Sequence, residues 1–265
     1  MIRFTTMIHN PAEFLELRPV GISSTVELAK ALAKVIRFRE RDLGRLLRKP
    51  AVVRILDAIF IVRPNTEDLY SIWSEQYELK KWFLSLAEGT VVDVGAHIGK
   101  YVVHACKSKK VRRVIGIEPL IHNYIILKLN VALNSCENKV VLVRKAVDSQ
   151  RRVINMYIPI YDSSLAFAAT SLTKPEGRHV QINVGTEPLD EILLRLDVDI
   201  VDFLKVDIEK YVLKSLPGMK RTLKNTKWLM IELLGKDLLA HRLLKQHGFR
   251  LIDIHGRNYL YKRDV

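Results

Sequence analysis

Thr90-Val-Val-Asp-Val-Gly-Ala-His-Ile-Gly99 reads as a strand that runs into a ligand-binding turn. Val91, Val92 and Val94 make a short β-branched run suited to a buried parallel strand, and Tyr101-Val-Val-His-Ala-Cys106 starts a helix. Gly95 and Gly99 punctuate the turn between them. Glycine adopts positive φ without a Cβ clash and lets backbone come close to a ligand, while the first turn of the next helix presents unpaired N–H groups. A glycine pair also serves plain strand-to-helix packing, so the residues that follow carry the decision.

Val111-Arg-Arg-Val-Ile-Gly-Ile-Glu118 supplies a second β-branched run, and it ends in a carboxylate. In nucleotide-binding α/β folds an acid at the end of the second strand accepts hydrogen bonds from ribose hydroxyls. The glycine pattern is Asp93-x-Gly95-x-x-x-Gly99, without the third glycine that cradles a dinucleotide pyrophosphate. An acid before the first glycine suits a ligand carrying positive charge, such as the amino group or sulfonium of S-adenosylmethionine.

Val92-Asp-Val-Gly-Ala-His-Ile-Gly99, Ile117-Glu-Pro119, Asn123-Tyr124, Leu129-Asn130 and Leu133-Asn134 resemble the FkbM family of S-adenosylmethionine-dependent methyltransferases. The likeness continues through Ala146-Val-Asp148, Leu189-Asp190, Phe203-Leu-Lys-Val-Asp-Ile-Glu209 and Leu213 to Gly218, and spans about Tyr77 to Tyr261. It implies a Rossmann-like class I α/β fold, a mainly parallel seven-stranded sheet with an antiparallel C-terminal strand. It also implies S-adenosylmethionine as cofactor, leaving as S-adenosylhomocysteine. Contacts to the cofactor are expected from Asp93, Gly95, Ala96, His97, Gly99, Glu118, Pro119, Asn123, Ala146 and Val147. The family's usual residue at His97 is asparagine, which makes that position a spacer as readily as a contact. Lys210 stands where the family has glycine, which puts the local backbone there in question.

Methyl transfer from a sulfonium is an in-line displacement, so alignment supplies much of the rate, and a hydroxyl acceptor also needs a base or a metal. Residues two apart on a strand share a face, which groups Lys205 with Asp207 and brings Glu209 near them just past the strand end. These three are the candidate catalytic residues, at the carboxyl end of the strand where open α/β sheets bind ligands. Asp207 and Glu209 as close carboxylates would raise at least one pKa and favour base behaviour. The plainer alternative is a Lys205–Asp207 ion pair that merely positions the loop. Glu232, at the end of Leu229-Met-Ile-Glu232, could join Asp207 as an oxygen ligand for Mg²⁺, but the sequence announces no third ligand and no metal site is assigned.

The chain has 265 residues and a formal net charge of +14, from 43 Lys plus Arg against 29 Asp plus Glu. That balance draws anionic partners and admits RNA as acceptor. Arg37, Arg39, Arg41, Arg45, Arg48 and Lys49 crowd one segment, and Lys107, Lys109, Lys110, Arg112 and Arg113 crowd the entrance to the second strand. Neither cluster interleaves the aromatics that stack RNA bases. Cys106 and Cys136 sit among apolar residues without metal-ligand spacing and read as reduced thiols, hence a cytoplasmic location. No apolar stretch is long enough for a membrane span. The expected acceptor is a hydroxyl on a small molecule or glycan. Alternatives are an RNA methyltransferase, whose usual Asn-Pro-Pro type turn is missing after Lys205-Val-Asp207, and a non-catalytic cofactor-binding module.

Apolar recurrence at Leu28, Ala31, Leu32, Val35, Ile36, Leu43, Leu46 and Leu47 predicts helices between about 25 and 62. Residues 1–76 are thus read as a helical N-terminal cap, and 77–265 as the cofactor-binding domain. A helix over 68–86 is expected to lead into the central strand. Strands are predicted near 91–94, 114–118, 140–144, 153–158, 179–184, 201–207, 228–233, 249–254 and 258–262, with helices at 98–107, 121–134, 188–196, 210–223 and 236–247. The last two strands flank His255-Gly-Arg257 as an antiparallel hairpin. Tyr161-Asp-Ser-Ser164 and Ser171-Leu-Thr173 fall in a long polar connection suited to substrate contacts.

Overall fold

The computed structural model describes residues 16–38, 46–161, 164–165, 174–233 and 238–264. In chain order these form β1 (Arg18–Pro19), α1 (Ile22–Phe38), β2 (Ala51–Ile55), β3 (Ala58–Val62), α2 (Asp68–Trp73), β4 (Gly89–Val94), α3 (Lys100–Lys107), β5 (Val111–Ile117) and α4 (Ile121–Leu133). Then follow β6 (Val140–Val143), β7 (Ala146–Val147), β8 (Val153–Tyr161), β9 (Ser164–Leu165), β10 (His179–Glu187), α5 (Leu189–Arg195), β11 (Val201–Val206), β12 (Thr226–Glu232), α6 (Leu238–Gln246), β13 (Phe249–His255) and β14 (Asn258–Arg263).

The valine run before Gly95 is the strand β4, inside a seven-stranded sheet of order β13-β14-β12-β11-β4-β5-β6. β12, β11, β4, β5 and β6 pair in parallel, and β14 runs antiparallel to both β12 and β13. Strand alternation divides the core in two. Val92, Val94, Leu204, Val206, Leu229 and Ile231 face α5 and α6. Val91, Phe203 and Met230 face the opposite layer, with Phe83 and Tyr101. Asp93 and Lys205 fall on that second face at the strand ends, so the same alternation that builds the core also aims them.

β8 and β10 leave the main sheet. They pair antiparallel with each other, β7 adds in parallel to β10, and β9 closes the other edge of this four-stranded sheet. Asp162, Ser163 and the Ser171-Leu-Thr173 segment lie outside the described residues.

Three expectations are corrected. Residues 51–62, expected as helix, form the hairpin β2–β3 under α1, with β1 on the outer edge of β2. Alternating burial along Ala51-Val-Val-Arg-Ile55 and Ala58-Ile-Phe-Ile-Val62 shows why: β-branched residues with a two-residue period are better satisfied in a sheet. Leu56 carries the left-handed turn conformation, φ 53°, without the Asn or Gly that would announce it. The helix expected over 68–86 stops at Trp73 and resumes as a wider-wound turn over Glu78–Phe83, with Glu75 at φ 54° between them. The helix expected over 210–223 is a chain of short 3₁₀ and α turns, Glu209 to Lys224, around Pro217-Gly218.

Cys106 and Cys136, expected reduced, form a disulfide with Cα atoms 5.9 Å apart, joining the end of α3 to the loop after α4. The thiol argument for a cytoplasmic location falls with it. No described helix is long and apolar enough to cross a membrane.

Candidate active site

The carboxyl ends of β4, β5, β11 and β12 meet at one rim, and the loop after β4 is its floor. Gly95, at φ +87°, lies against the main chain of β11's end: a Cβ there would sit 1.9 Å from the Asp207 carbonyl oxygen. Its N–H and that of Ala96 both donate to the Ile117 carbonyl, at 2.9 and 3.0 Å. Gly99, at φ +96°, starts α3, and a Cβ there would press to 2.6 Å from Leu127. Gly95 is therefore required by left-handed backbone and by a main-chain neighbour together, and Gly99 by its left-handed backbone.

His97, between them, holds φ 51°, a conformation a side chain adopts reluctantly. Its N–H donates to Glu118 Oε2 at 2.9 Å, and its half-buried ring lies beside Asp68, 3.7 Å from Nε2. Burial holds its pKa down at about 4, so the ring is neutral. Glu118, 4% exposed, also accepts from the Leu120 N–H at 2.9 Å and from Asn123 Nδ2 at 3.3 Å through Oε1. Burial outweighs those donors and raises its pKa to about 7. Pro119, half-buried, carries the chain between Glu118 and Leu120.

Asp93 is 1% exposed and its Oδ1 has no hydrogen-bond partner. Burial raises its pKa to about 6 against the pull of Lys205, whose ammonium is 3.8 Å away. That pairing follows from register, since Asp93 and Lys205 are neighbours across β4 and β11. Lys205 also donates to Asp207 at 2.9 Å and lies 4.8 Å from the centre of the Tyr101 ring. Burial alone would lower its pKa, but Asp207 and Asp93 keep it well above the usual lysine value.

Asp207 has a second carboxyl neighbour besides Glu209, across the sheet rather than along the chain. The carboxyl whose pKa rises is Glu232, pushed to about 10 by burial and by the Asp207 charge it faces. Val206 and Ile231 are register partners, so the next residues, Asp207 and Glu232, come level at the strand ends. Glu232 keeps the proton and Asp207 stays ionised, its own pKa held down, despite burial, by Lys205 and by the hydrogen bond with Glu232. Arg257, from the β13–β14 turn, sits 3.2 Å from Glu232. Glu209 opens the 3₁₀ turn after the strand with φ 52°, so the left-handed position falls on the glutamate itself. Among the described residues no group of three or more His, Cys, Asp or Glu side chains is arranged to hold a metal ion.

Ala146 and Val147 pair with Thr186 and Glu187 of β10, and the Val147 side chain is buried in the core beside the sheet. Asn130 and Asn134 turn their side-chain oxygens to β3. They accept from the Ile61 and Ile59 N–H groups at 2.7 and 2.9 Å, so their amides cap the free edge of β3. Arg63 and Asp68 join this site without any motif to mark them. Arg63 comes from the turn before α2, which Asp68 opens; it lies sixty residues from Asn123, whose Oδ1 accepts from Arg63 Nη2 at 2.8 Å.

A parallel sheet of this order with a reversed β14, carrying its acids at the ends of β4, β5 and β11, defines a class I methyltransferase fold. The methyltransferase FkbM domain profile matches residues 93–251, more than half of the chain. The chain belongs to that family of S-adenosylmethionine-dependent methyltransferases. Among solved structures it is similar to the methyltransferase FkbM from Methylobacillus flagellatus KT, with 18% identity, TM-score 0.49, and coverage of 74% of this chain and 54% of that one. The chain thus spans about half the length of that relative. It is also similar to M. jannaschii TYW2 in complex with AdoMet (14% identity, TM-score 0.41, 82% and 87% coverage). A third match is M. capricolum TrmK in complex with S-adenosylhomocysteine (8%, 0.43, 69% and 65%). All three scores are below 0.5, and the likenesses carry no argument about substrate. No curated protein sequence matches the chain.

Proposed function

We propose that the chain transfers a methyl group from S-adenosylmethionine to a hydroxyl of a small molecule or glycan, with residues 77–265 as the catalytic domain and 1–76 as a cap. The observation that carries this reading is the convergence of Asp93, Glu118, Asp207 and Glu232 with Lys205 at one sheet rim, beside a loop that needs glycine at 95. The residues fit the cofactor. Glu118 has acceptor lone pairs left for ribose hydroxyls, Asp93 Oδ1 is buried without a partner and suits an amino group, and the 95–99 turn brings bare backbone to the same place. When bound, the cofactor supplies a methyl group on a sulfonium, an electrophile that needs only an aligned nucleophile.

Asp207 is the base of this reading. Its side chain is 27% exposed, the most open of the rim acids, and Lys205 keeps it ionised. It would accept the hydroxyl proton as the C–O bond forms and the bond from the methyl carbon to sulfur breaks, with S-adenosylhomocysteine leaving, while protonated Glu232 donates to it and fixes its orientation. Lys205 touches the base and not the acceptor, so it acts by positioning. Glu209, at the entrance of the 3₁₀ turn, shapes the acceptor side.

RNA as acceptor draws on the net charge of +14 and on the likeness of Ile117-Glu-Pro119 through Asn134 to the ribose segment of tRNA methyltransferases. The basic cluster Lys107 to Arg113 lies where β5 begins, and the seven residues of that strand put about 20 Å between it and the rim. Arg39, Arg41 and Arg45 lie outside the described residues. The test is transfer of labelled methyl groups onto separated glycan, small-molecule and RNA fractions. Label in the first two supports the proposal, and label in RNA alone overturns it.

A further inference from the structure

We propose that Arg63, in the N-terminal segment outside the matched domain, is a positioning residue that sets the orientation of Glu118 through Asn123. The proposal rests on the reading of Glu118 as the acid that holds the cofactor's ribose. Arg63 is fixed first by Asp68, a fully buried carboxylate that accepts from Nε at 2.7 Å, from Nη2 at 2.8 Å and from the Arg63 main-chain N–H at 2.9 Å. A guanidinium held in this two-pronged way is fixed in orientation, which aims the second Nη2 hydrogen away from Asp68. Nη2 also donates to Asn123 Oδ1 at 2.8 Å.

The chemistry of that contact decides what Asn123 does next. A guanidinium can only donate, so the oxygen of the Asn123 amide must face Arg63, and its NH₂ must then face the other way. There it donates to Glu118 Oε1 at 3.3 Å. With Arg63 removed, nothing on the far side anchors the Asn123 oxygen, and the donation to Glu118 loses its fixed direction. The other Glu118 oxygen is held by the His97 N–H, and Asp68, which clamps Arg63, lies 3.7 Å from the same histidine's ring. Asp68 is thus bonded to Arg63 behind one Glu118 oxygen and lies near the His97 ring behind the other.

The supporting frame is also built from side chains. β3 ends one residue before Arg63, and its Ile61 and Ile59 main-chain groups are tied to Asn130 of α4, the helix that carries Asn123, and to Asn134 just past its end. Asn130 Nδ2 further donates to the Ile98 carbonyl in the cofactor loop at 2.8 Å. A simple loop staple needs only Arg63 and Asp68; the third contact, to Asn123, is the one that reaches the site.

The test measures S-adenosylhomocysteine affinity by calorimetry between pH 6 and 8 for the wild-type chain, Arg63→Met, Arg63→Lys, Asn123→Ala and the double variant Arg63→Met/Asn123→Ala. Arg63→Met should bind about tenfold more weakly, the scale of one misdirected hydrogen bond to a charge. The double variant should be no weaker than Asn123→Ala, because both changes break one route. The pH midpoint of binding should move upward in Arg63→Met, since Asn123's donation is one of the bonds holding the Glu118 pKa down. Arg63→Lys keeps a cation on Asp68 for folding and should weaken binding in the same direction. Unchanged affinity in Arg63→Met and Arg63→Lys, or losses that multiply in the double variant, overturn the inference while the cofactor reading stands. A wild-type chain that binds no S-adenosylhomocysteine overturns both.

Discussion

The two halves of the rim treat their carboxyls in opposite ways. On the β4–β5 side Glu118 is wrapped in N–H donors from His97, Leu120 and Asn123, a set that fixes direction. On the β11–β12 side Asp207 and Glu232 share one proton beside an ammonium, a set that fixes charge. The first arrangement suits recognition of a hydroxylated ligand and the second suits proton transfer. Changes in one half should therefore move binding, and changes in the other should move turnover.

The largest separation is expected from Asp207→Asn, which should lower kcat about 10²- to 10⁴-fold while S-adenosylhomocysteine affinity stays within about twofold. Equal losses in both would merge the two halves into one. Next in size is the cross-link beneath the recognition half. Cys136→Ser opens a loop of 30 residues between Cys106 and Cys136, and thermal unfolding should report a loss of about 3 kcal/mol. An unchanged melting temperature would show that the disulfide adds nothing to folding. Glu118→Ala should weaken S-adenosylhomocysteine about tenfold or more, with a smaller change in kcat at saturation.

The pH dependence sharpens the contrast further. Below its pKa of about 7 Glu118 carries a proton and loses acceptor capacity, so cofactor affinity should rise with pH up to about 7 and level off above it. The ligand-free fold shows the reverse sign. Asp93 and Glu118, raised to about 6 and about 7, bind protons that the unfolded chain has released, so their contribution to stability is present below about pH 4 and is lost as pH rises through those values. Consequently the rise in melting temperature caused by S-adenosylhomocysteine should be greater at pH 8 than at pH 6. A ligand-induced shift that does not vary with pH would remove Glu118 from the contact.

Much of the rim was legible because its signals are local. Strands β4, β5, β11 and β12 declare themselves by β-branched runs, and register then brings Asp93 to Lys205 and Asp207 to Glu232. Sequence spacing suggested Glu209 as the partner of Asp207, since neighbours along a chain are easier to see than neighbours across a sheet. Arg63 and Asp68 were invisible for the same reason: a contact over sixty residues leaves no periodicity. The β2–β3 hairpin was hidden by a turn at Leu56-Asp57 that lacks glycine. The disulfide depends on two helix ends meeting, which composition cannot show.

A crystal structure with S-adenosylhomocysteine tests the central claim most directly. The ribose hydroxyls should lie on the Glu118 carboxylate, with the sulfur near Gly95 and facing Asp207. Density for the ligand elsewhere, or a Glu118 carboxylate that keeps only its protein partners with the ligand bound away from it, would contradict the account.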